Sequence, residues 1–113
     1  MINYSLQQVK THIPINYDQI VEFCQKWQMT EFAIFGSVLT DHFQVDQSDI
    51  DVLLSFDEKA RWTLFDWVDM EEEIKLIFQR DVDLVSRRGI ERSQNMRRRQ
   101  AILNSAQVIY ARP

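Results

Sequence analysis

Apolar positions along this chain of 113 residues follow two periods, one helical and one strand-like. Residues 17–28 place apolar side chains at the i, i+3, i+4, i+7 spacing of one helix face, and Asn16 can cap the start. The same spacing predicts a helix over residues 62–79 and a last helix over residues 90–108. Apolar runs that stop at turn or charged residues predict three strands, at residues 31–35, 49–56 and 81–86.

The segments between these elements give weaker signals. Residues 1–11 carry Ile2, Leu6 and Val9 at helical spacing, which predicts a short helix or an ordered arm that ends at Pro14. Strands interleaved with helices predict a small α/β (α+β) sheet domain. The length fits one domain, so residues 1–113 are expected to fold as a single unit.

Composition narrows the class of protein. Hydrophobic residues make up 45% of the chain, which excludes a disordered protein. No apolar run reaches the roughly 18 residues of a membrane span, and the first residues lack a signal-peptide pattern. Cys24 is the only cysteine and lies on the apolar stripe of a predicted helix, where it is expected to be buried. A single cysteine cannot form an internal disulfide, so a cytoplasmic protein is expected.

Charge is distributed unevenly along the chain. The net charge is −4, with −9 over residues 1–79 and +5 over residues 80–113. An acidic body argues against direct binding of nucleic acid. It favours a partner of opposite charge, such as metal ions or a basic protein.

Gly36-Ser37 directly follows the first predicted strand. Glycine allows a tight turn and a close approach to a ligand, and the serine hydroxyl with nearby backbone N–H groups can hold phosphate oxygens. Taken alone, such a dipeptide is more often an ordinary turn that ends a strand.

Two pairs of aspartates lie at the starts of predicted strands. Side chains in a strand alternate between faces, so Asp49 and Asp51 point the same way and can share divalent cations. Asp81 and Asp83 form the second pair, and Asp83 joins the first pair if the two strands are neighbours. The simpler explanation is a polar strand end, with Asp81 paired to Arg80 or Arg87 at the surface.

In this order the features resemble the nucleotidyltransferase superfamily that includes DNA polymerase beta. A strand ends in Gly36-Ser37, then follow Ser48-Asp49-Ile50-Asp51-Val52-Leu53 and later Val82-Asp83-Leu84-Val85. The short chain and its tail, residues 98–110, are similar to minimal nucleotidyltransferases (MNT), the antitoxins of prokaryotic HEPN/MNT toxin–antitoxin pairs. The resemblance implies a small mixed-sheet nucleotidyltransferase fold in which residues 1–113 form one minimal domain.

The resemblance also implies site residues and a reaction. Gly36 and Ser37 match the turn that binds nucleotide phosphates, and Asp49, Asp51 and Asp83 match the catalytic carboxylates that bind metal. The implied reaction uses ATP and Mg²⁺ to transfer AMP to a tyrosine of a HEPN ribonuclease toxin, which neutralises the toxin. Little of the chain is left for an acceptor-binding domain, so the acceptor is expected to arrive on a partner protein.

The segment after Ser37 departs from the family pattern. The family places an Arg and a Gly soon after the serine, but residues 38–48 contain neither. This departure favours an alternative function, a catalytically weak module that neutralises the toxin by direct binding. For either function, aromatics among Phe43, Trp62 and Tyr110 are expected to be exposed and to anchor the interface.

Overall fold

The computed structural model describes residues 4–9, 11, 13–41, 43–44 and 48–113. His12 and His42, expected to be surface histidines, lie outside the described residues. The described elements, in chain order, are β1 (Ser5–Leu6), α1 (Tyr17–Lys26), β2 (Met29–Phe35), a 3-10 helix (Gly36–Leu39), β3 (Ile50–Phe56), α2 (Leu64–Phe78), β4 (Val82–Ser86), α3 (Arg87–Glu91), α4 (Met96–Ser105) and β5 (Gln107–Ala111).

The five strands form one mixed sheet in the order β1-β5-β2-β3-β4. The pairs β1–β5, β5–β2 and β2–β3 are antiparallel, whereas β3 and β4 are parallel. The parallel pair requires a crossover, and α2 provides it. The predicted mixed α/β fold is therefore confirmed.

Capping residues set the starts of the two long helices. The Asn16 side chain accepts a hydrogen bond from the Gln19 backbone N–H and so caps α1, as predicted. A reciprocal capping box joins Thr63 and Asp66 at the start of α2. Both helices therefore begin where the sequence offers a side chain for their unpaired N–H groups.

One face of the sheet packs against α1 and α2 and holds the main core. Its fully buried side chains include Ile20 of α1, Ile74 of α2, and Ile50 and Val52 of β3. Cys24 is buried in the same cluster, as its place on the apolar stripe predicted, and this burial raises the pKa of its thiol.

The other face carries α3 and α4 over a much smaller cluster. Phe35 and Leu53 of the sheet meet Ile90 of α3 and Ile102 of α4 there. Along β3, Leu53 and Asp51 share this face, since alternate residues point the same way. The candidate carboxylates therefore lie beside the smaller cluster and not in the main core.

The predicted last helix over residues 90–108 is wrong in its extent. The chain forms two helices there, and the second begins after Asn95, whose side chain accepts a hydrogen bond from the Arg98 backbone N–H. Beyond the second helix comes β5, a strand between β1 and β2. Its Ile109 and Tyr110 are fully buried, because β5 is an inner strand of the sheet with a neighbour on each side.

Of the N-terminal segment, the described residues 4–9 form an arm and not the alternative short helix, and Ile2 lies outside the described residues. Ser5 and Leu6 pair antiparallel with Ala111 and Tyr110 of β5. Pairing with a strand from the far end of the chain outweighs the weak helical spacing of this segment. None of the described helices is long and apolar enough to cross a membrane.

Candidate active site

The parallel register of β3 and β4 brings two of the predicted carboxylates side by side. Asp51 is the direct partner of Asp83, and their neighbours Ile50 and Val82 form the pair before them. Ile50 and Val82 are buried in the main core, so Asp51 and Asp83 point to the opposite face. Asp49 lies just before β3 and by the same alternation belongs to that face.

Electrostatics indicate that these carboxylates are close to one another. The pKa of Asp51 is raised from its ordinary 3.8 to about 6, chiefly because it is partly removed from water and then because of the charges of Asp83 and Asp49. The nearby charge of Arg98 opposes this shift. Asp51 therefore holds its proton more tightly than an aspartate in water does.

Gly36 is the residue that lets the turn approach this cluster. Its φ is +79°, in the region that favours glycine. A Cβ at this position would overlap the carboxylate oxygen Oδ2 of Asp51 and would lie 3.2 Å from its Cγ. The glycine is thus required twice, by its backbone conformation and by the position of the Asp51 side chain.

Ser37 opens the short 3-10 helix that follows. Its carbonyl oxygen accepts hydrogen bonds from the Thr40 backbone N–H and hydroxyl, each at 2.9 Å. Across the described part of the chain, the Ser37 hydroxyl has no hydrogen-bond partner. The first N–H groups of such a helix also lack intrahelical acceptors, so this turn offers donors next to Asp51.

Asp81 differs from Asp83 although it lies only two residues away. Both side chains are exposed, but Asp81 precedes β4, and its carbonyl oxygen accepts a hydrogen bond of 3.1 Å from the Ile50 backbone N–H where the parallel pair begins. The simple expectation of an ion pair with Arg80 or Arg87 is wrong. Arg87 pairs with Glu31 at 3.4 Å, and the Arg80 guanidinium donates to the Ser48 carbonyl at 3.4 Å.

A cavity of about 520 Å³ opens beside the turn. Gly36 and Leu39 line one side of it, and the polar side chains of Ser105 and Gln107 line another. A larger hollow of about 630 Å³ includes Pro14 in its wall and contains none of the candidate carboxylates. The 520 Å³ cavity meets the candidate site at Gly36 but likewise has no candidate carboxylate in its wall, and its volume lies in the range of small-molecule sites.

The donor set suits a hard divalent cation, although no three metal-binding side chains are gathered in advance. Among the described residues, no group of three or more His, Cys, Asp or Glu side chains has the arrangement that could hold a metal ion alone. Mg²⁺ commonly binds through one or two carboxylates together with substrate phosphates. Asp51 and Asp83, which are paired in register on the two parallel strands, fit that mode of binding.

The chain is similar to a known protein family and to a curated protein. A family model described as "Nucleotidyltransferase domain" matches residues 18–109. Among curated proteins, the putative protein adenylyltransferase MJ1379 of Methanocaldococcus jannaschii is 29% identical over 65 residues, which are 58% of this chain. The match covers 64% of that protein, so this chain spans slightly less than two thirds of its relative.

Solved structures share the fold. A putative minimal nucleotidyltransferase gives a TM-score of 0.61 at 27% identity, covering 80% of this chain and 86% of that one. A chain of a toxin–antitoxin complex with AMP-PNP gives 0.64 at 17% identity, covering 86% and 74%. A chain of the complex between the tri-AMPylated Shewanella oneidensis HEPN toxin and an MNT antitoxin gives 0.56 at 16% identity, covering 84% and 69%.

Proposed function

This chain belongs to the nucleotidyltransferase domain family, and from that premise we propose that it is an antitoxin that transfers AMP from ATP to a tyrosine of a partner HEPN toxin. The observation that carries the proposal is the register that pairs Asp51 with Asp83, together with the close packing of the Gly36 turn against the Asp51 carboxylate. The likeness to a chain from a complex with a tri-AMPylated HEPN toxin supports the choice of acceptor. The family resemblance implies that the acceptor group is a tyrosine hydroxyl.

The proposed step is an in-line displacement at the α-phosphorus of ATP. The tyrosine oxygen forms a bond to this phosphorus, the bond from phosphorus to the bridging oxygen of the β-phosphate breaks, and pyrophosphate leaves. The phenol proton passes to the Asp83 carboxylate and then to water. The turn at Gly36 and Ser37 holds phosphate oxygens through its N–H groups and hydroxyl.

Asp49, Asp51 and Asp83 are the residues that would hold divalent metal ions in this reaction. When bound, Mg²⁺ would neutralise phosphate charge and favour ionisation of the acceptor hydroxyl. The carboxylates hold and orient the charged groups, and Asp83 also accepts the proton. The protein thus supplies position and charge, and the proposal requires no covalent intermediate.

The test is to incubate the protein with the partner HEPN toxin, ATP and Mg²⁺ and to weigh the toxin by mass spectrometry. Each AMP transferred should add about 329 Da, on tyrosine, and toxin ribonuclease activity should fall. The Asp49→Asn variant should leave the toxin unmodified and active. An unmodified toxin in the presence of the wild-type protein would refute the transfer.

A second function, neutralisation by contact alone, is favoured by the outward face of α2. The side chains of Leu64, Phe65 and Leu76 are 78%, 83% and 76% exposed. Asp69 and Glu72 lie between them on the helix. Exposed apolar groups among acidic ones suit a partner surface that is apolar and basic, as a ribonuclease surface must be to bind RNA.

The aromatics expected to anchor this interface are not the ones that are exposed. Tyr110 is fully buried in the sheet, Phe43 is buried beneath the Arg80 guanidinium, and Trp62 is partly covered. These residues fill the core, whereas Phe65 is turned outward. If the Asp49→Asn variant inhibits the toxin stoichiometrically while a Phe65→Ser variant does not, contact at α2 is the mechanism.

A further inference from the structure

Three consecutive arginines begin α4, and the structure distinguishes them. The Arg99 guanidinium donates to the Glu91 carbonyl at 3.2 Å and contacts the Met96 sulfur. Arg97 and Arg98 are exposed, and within the described residues neither guanidinium forms a hydrogen bond or an ion pair. Two cations are thus available for a ligand.

Arg97 and Arg98 lie at different positions around helix α4. Ile102 is the residue of α4 buried against Leu53 and Phe35 of the sheet. At 100° per residue, Arg98 lies about 40° around the helix from Ile102, whereas Arg97 lies about 140° away. Arg98 therefore extends from the side of α4 that faces the sheet, and Arg97 extends toward water.

The surroundings of Arg98 place it beside β4, the strand that carries Asp83. It lines a cavity of about 380 Å³ together with Val85 and Ser86 of β4. Val85 follows Asp83 by two residues, so the two side chains are neighbours on the same face of the sheet. The charge of Arg98 is also felt by Asp51.

The site needs a cation of this kind. Three carboxylates repel the phosphates of a nucleotide. Without a cationic side chain, metal ions alone would have to offset the negative charge of the carboxylates and of the phosphates. The segment that follows the turn, residues 38–48, contains neither lysine nor arginine. Arg80, which lies nearby, is held by the Ser48 carbonyl and the Phe43 ring.

We propose that Arg98 is the cationic side chain that binds the nucleotide phosphates together with the Gly36 turn, with its guanidinium reaching from α4 across the sheet face that carries Asp51 and Asp83. The guanidinium fork matches phosphate oxygens through two parallel hydrogen bonds. It would hold the phosphate chain from the side opposite the Gly36 turn. The proposal rests on the proposed nucleotidyl transfer and assigns the cation that it requires.

The test compares the wild-type protein with Arg98→Ala, Arg98→Lys and the matched control Arg97→Ala. Titration with AMP-PNP and Mg²⁺ should show Arg98→Ala binding roughly 10- to 100-fold more weakly, the range expected for lost charged hydrogen bonds. Arg97→Ala should stay within about 3-fold, because its side chain faces water. Arg98→Lys should recover part of the loss, since lysine keeps the charge but not the fork.

Two further measurements separate phosphate binding from a structural role. Binding of adenosine, which has no phosphate, should be unchanged by Arg98→Ala, and so should the thermal unfolding midpoint. Equal AMP-PNP affinity of Arg98→Ala and wild type, or an equal loss in Arg97→Ala, would overturn the assignment. If Arg98→Ala weakens AMP-PNP binding but wild type transfers no AMP, only the proposed function fails; if wild type binds no AMP-PNP, both fail.

Discussion

The two faces of the central sheet differ in how much apolar surface they bury. Toward α1 and α2, nineteen buried residues of the described chain form one continuous cluster. Toward α3 and α4, only five do so, and Asp51 and Asp83 lie on the same face. Burial of apolar area is the main favourable term in folding, so the first face holds most of the stability.

This difference explains how the second face can hold a cluster of like charges. Carboxylates that repel one another and lose water destabilise the folded state. A large core on the opposite face offsets that cost without contacting the site. Substitutions on the two faces should therefore separate stability from function.

The largest expected effect is the loss of transfer when a carboxylate is neutralised. Asp51→Asn should lower the rate of AMP transfer by about 10²- to 10³-fold or more, because a fixed charge aimed at the reacting phosphate is removed. Asp83→Asn should do the same, since it also removes the proton acceptor. Initial rates measured with the partner toxin and ATP report this loss.

Asp81→Asn is the matched control on the same strand edge. Asp81 lies before β4, outside the register that pairs Asp83 with Asp51, and its side chain contributes no hydrogen bond or ion pair in the described structure. Transfer should stay within about 3-fold of wild type. If Asp81→Asn were the inactive variant and Asp83→Asn the active one, the assignment of the third carboxylate would be wrong.

A cavity in the main core should cost the most stability. Ile74 of α2 is fully buried, and Ile74→Ala should lower the free energy of unfolding by about 2–5 kcal/mol. Leu76→Ala, two residues away but 76% exposed, should change it by less than about 0.5 kcal/mol. Urea unfolding measures both variants, and similar losses would show that α2 does not divide core from surface as described.

Gly36→Ala should affect both properties, because this glycine joins the turn to the site. A left-handed alanine costs about 1–2 kcal/mol of stability, and its Cβ must also displace the Asp51 carboxylate. Transfer should therefore fall by more than the loss of folded protein explains. Gly89→Ala provides the control, since its Cβ would meet only the Ser86 hydroxyl at 2.9 Å. Stability and rate are measured on the same preparations.

The parts of the fold that the sequence predicted are those with local signals. Asn16 caps α1, and the alternation around Ile50 and Val52 places Asp49 and Asp51 on the face away from the main core. β5 was missed because its place between β1 and β2 depends on pairing with distant strands. No glycine or proline marks the change from helix to strand near Ala106.

The candidate site was predictable to the same extent. The family resemblance names Gly36, Ser37 and the three aspartates, and the register confirms that Asp51 and Asp83 are neighbours. The orientation of Arg98 was not predictable, because three consecutive arginines point in three directions and only the packing of α4 selects one. That selection depends on Ile102 meeting the sheet, a contact between distant parts of the chain.

The smallest predicted effect is the pH dependence that Asp51 gives to stability. Its pKa is about 6 in the folded protein against an ordinary 3.8, so the folded state binds this proton more tightly than the unfolded state does. Stability must then fall as the pH rises through this window, since the unfolded state releases the proton first. Asp51 is partly exposed, and solvent screening reduces the penalty to on the order of 1 kcal/mol.

Asp51→Asn removes this penalty, so the variant should be more stable than wild type above pH 6 and should approach its stability below pH 3.8, where both states bind the proton. The measurement is urea unfolding of both proteins at a series of pH values in EDTA, because a bound cation would offset the same repulsion. The difference between the two curves isolates Asp51 from the other carboxylates that titrate in this range. A difference that does not change with pH would mean that Asp51 carries no unfavourable charge in the folded state. If wild type were more stable than Asp51→Asn at pH 7, the folded protein would stabilise the Asp51 charge. The smaller face of the sheet would then not carry the unfavourable charge that distinguishes it from the main core.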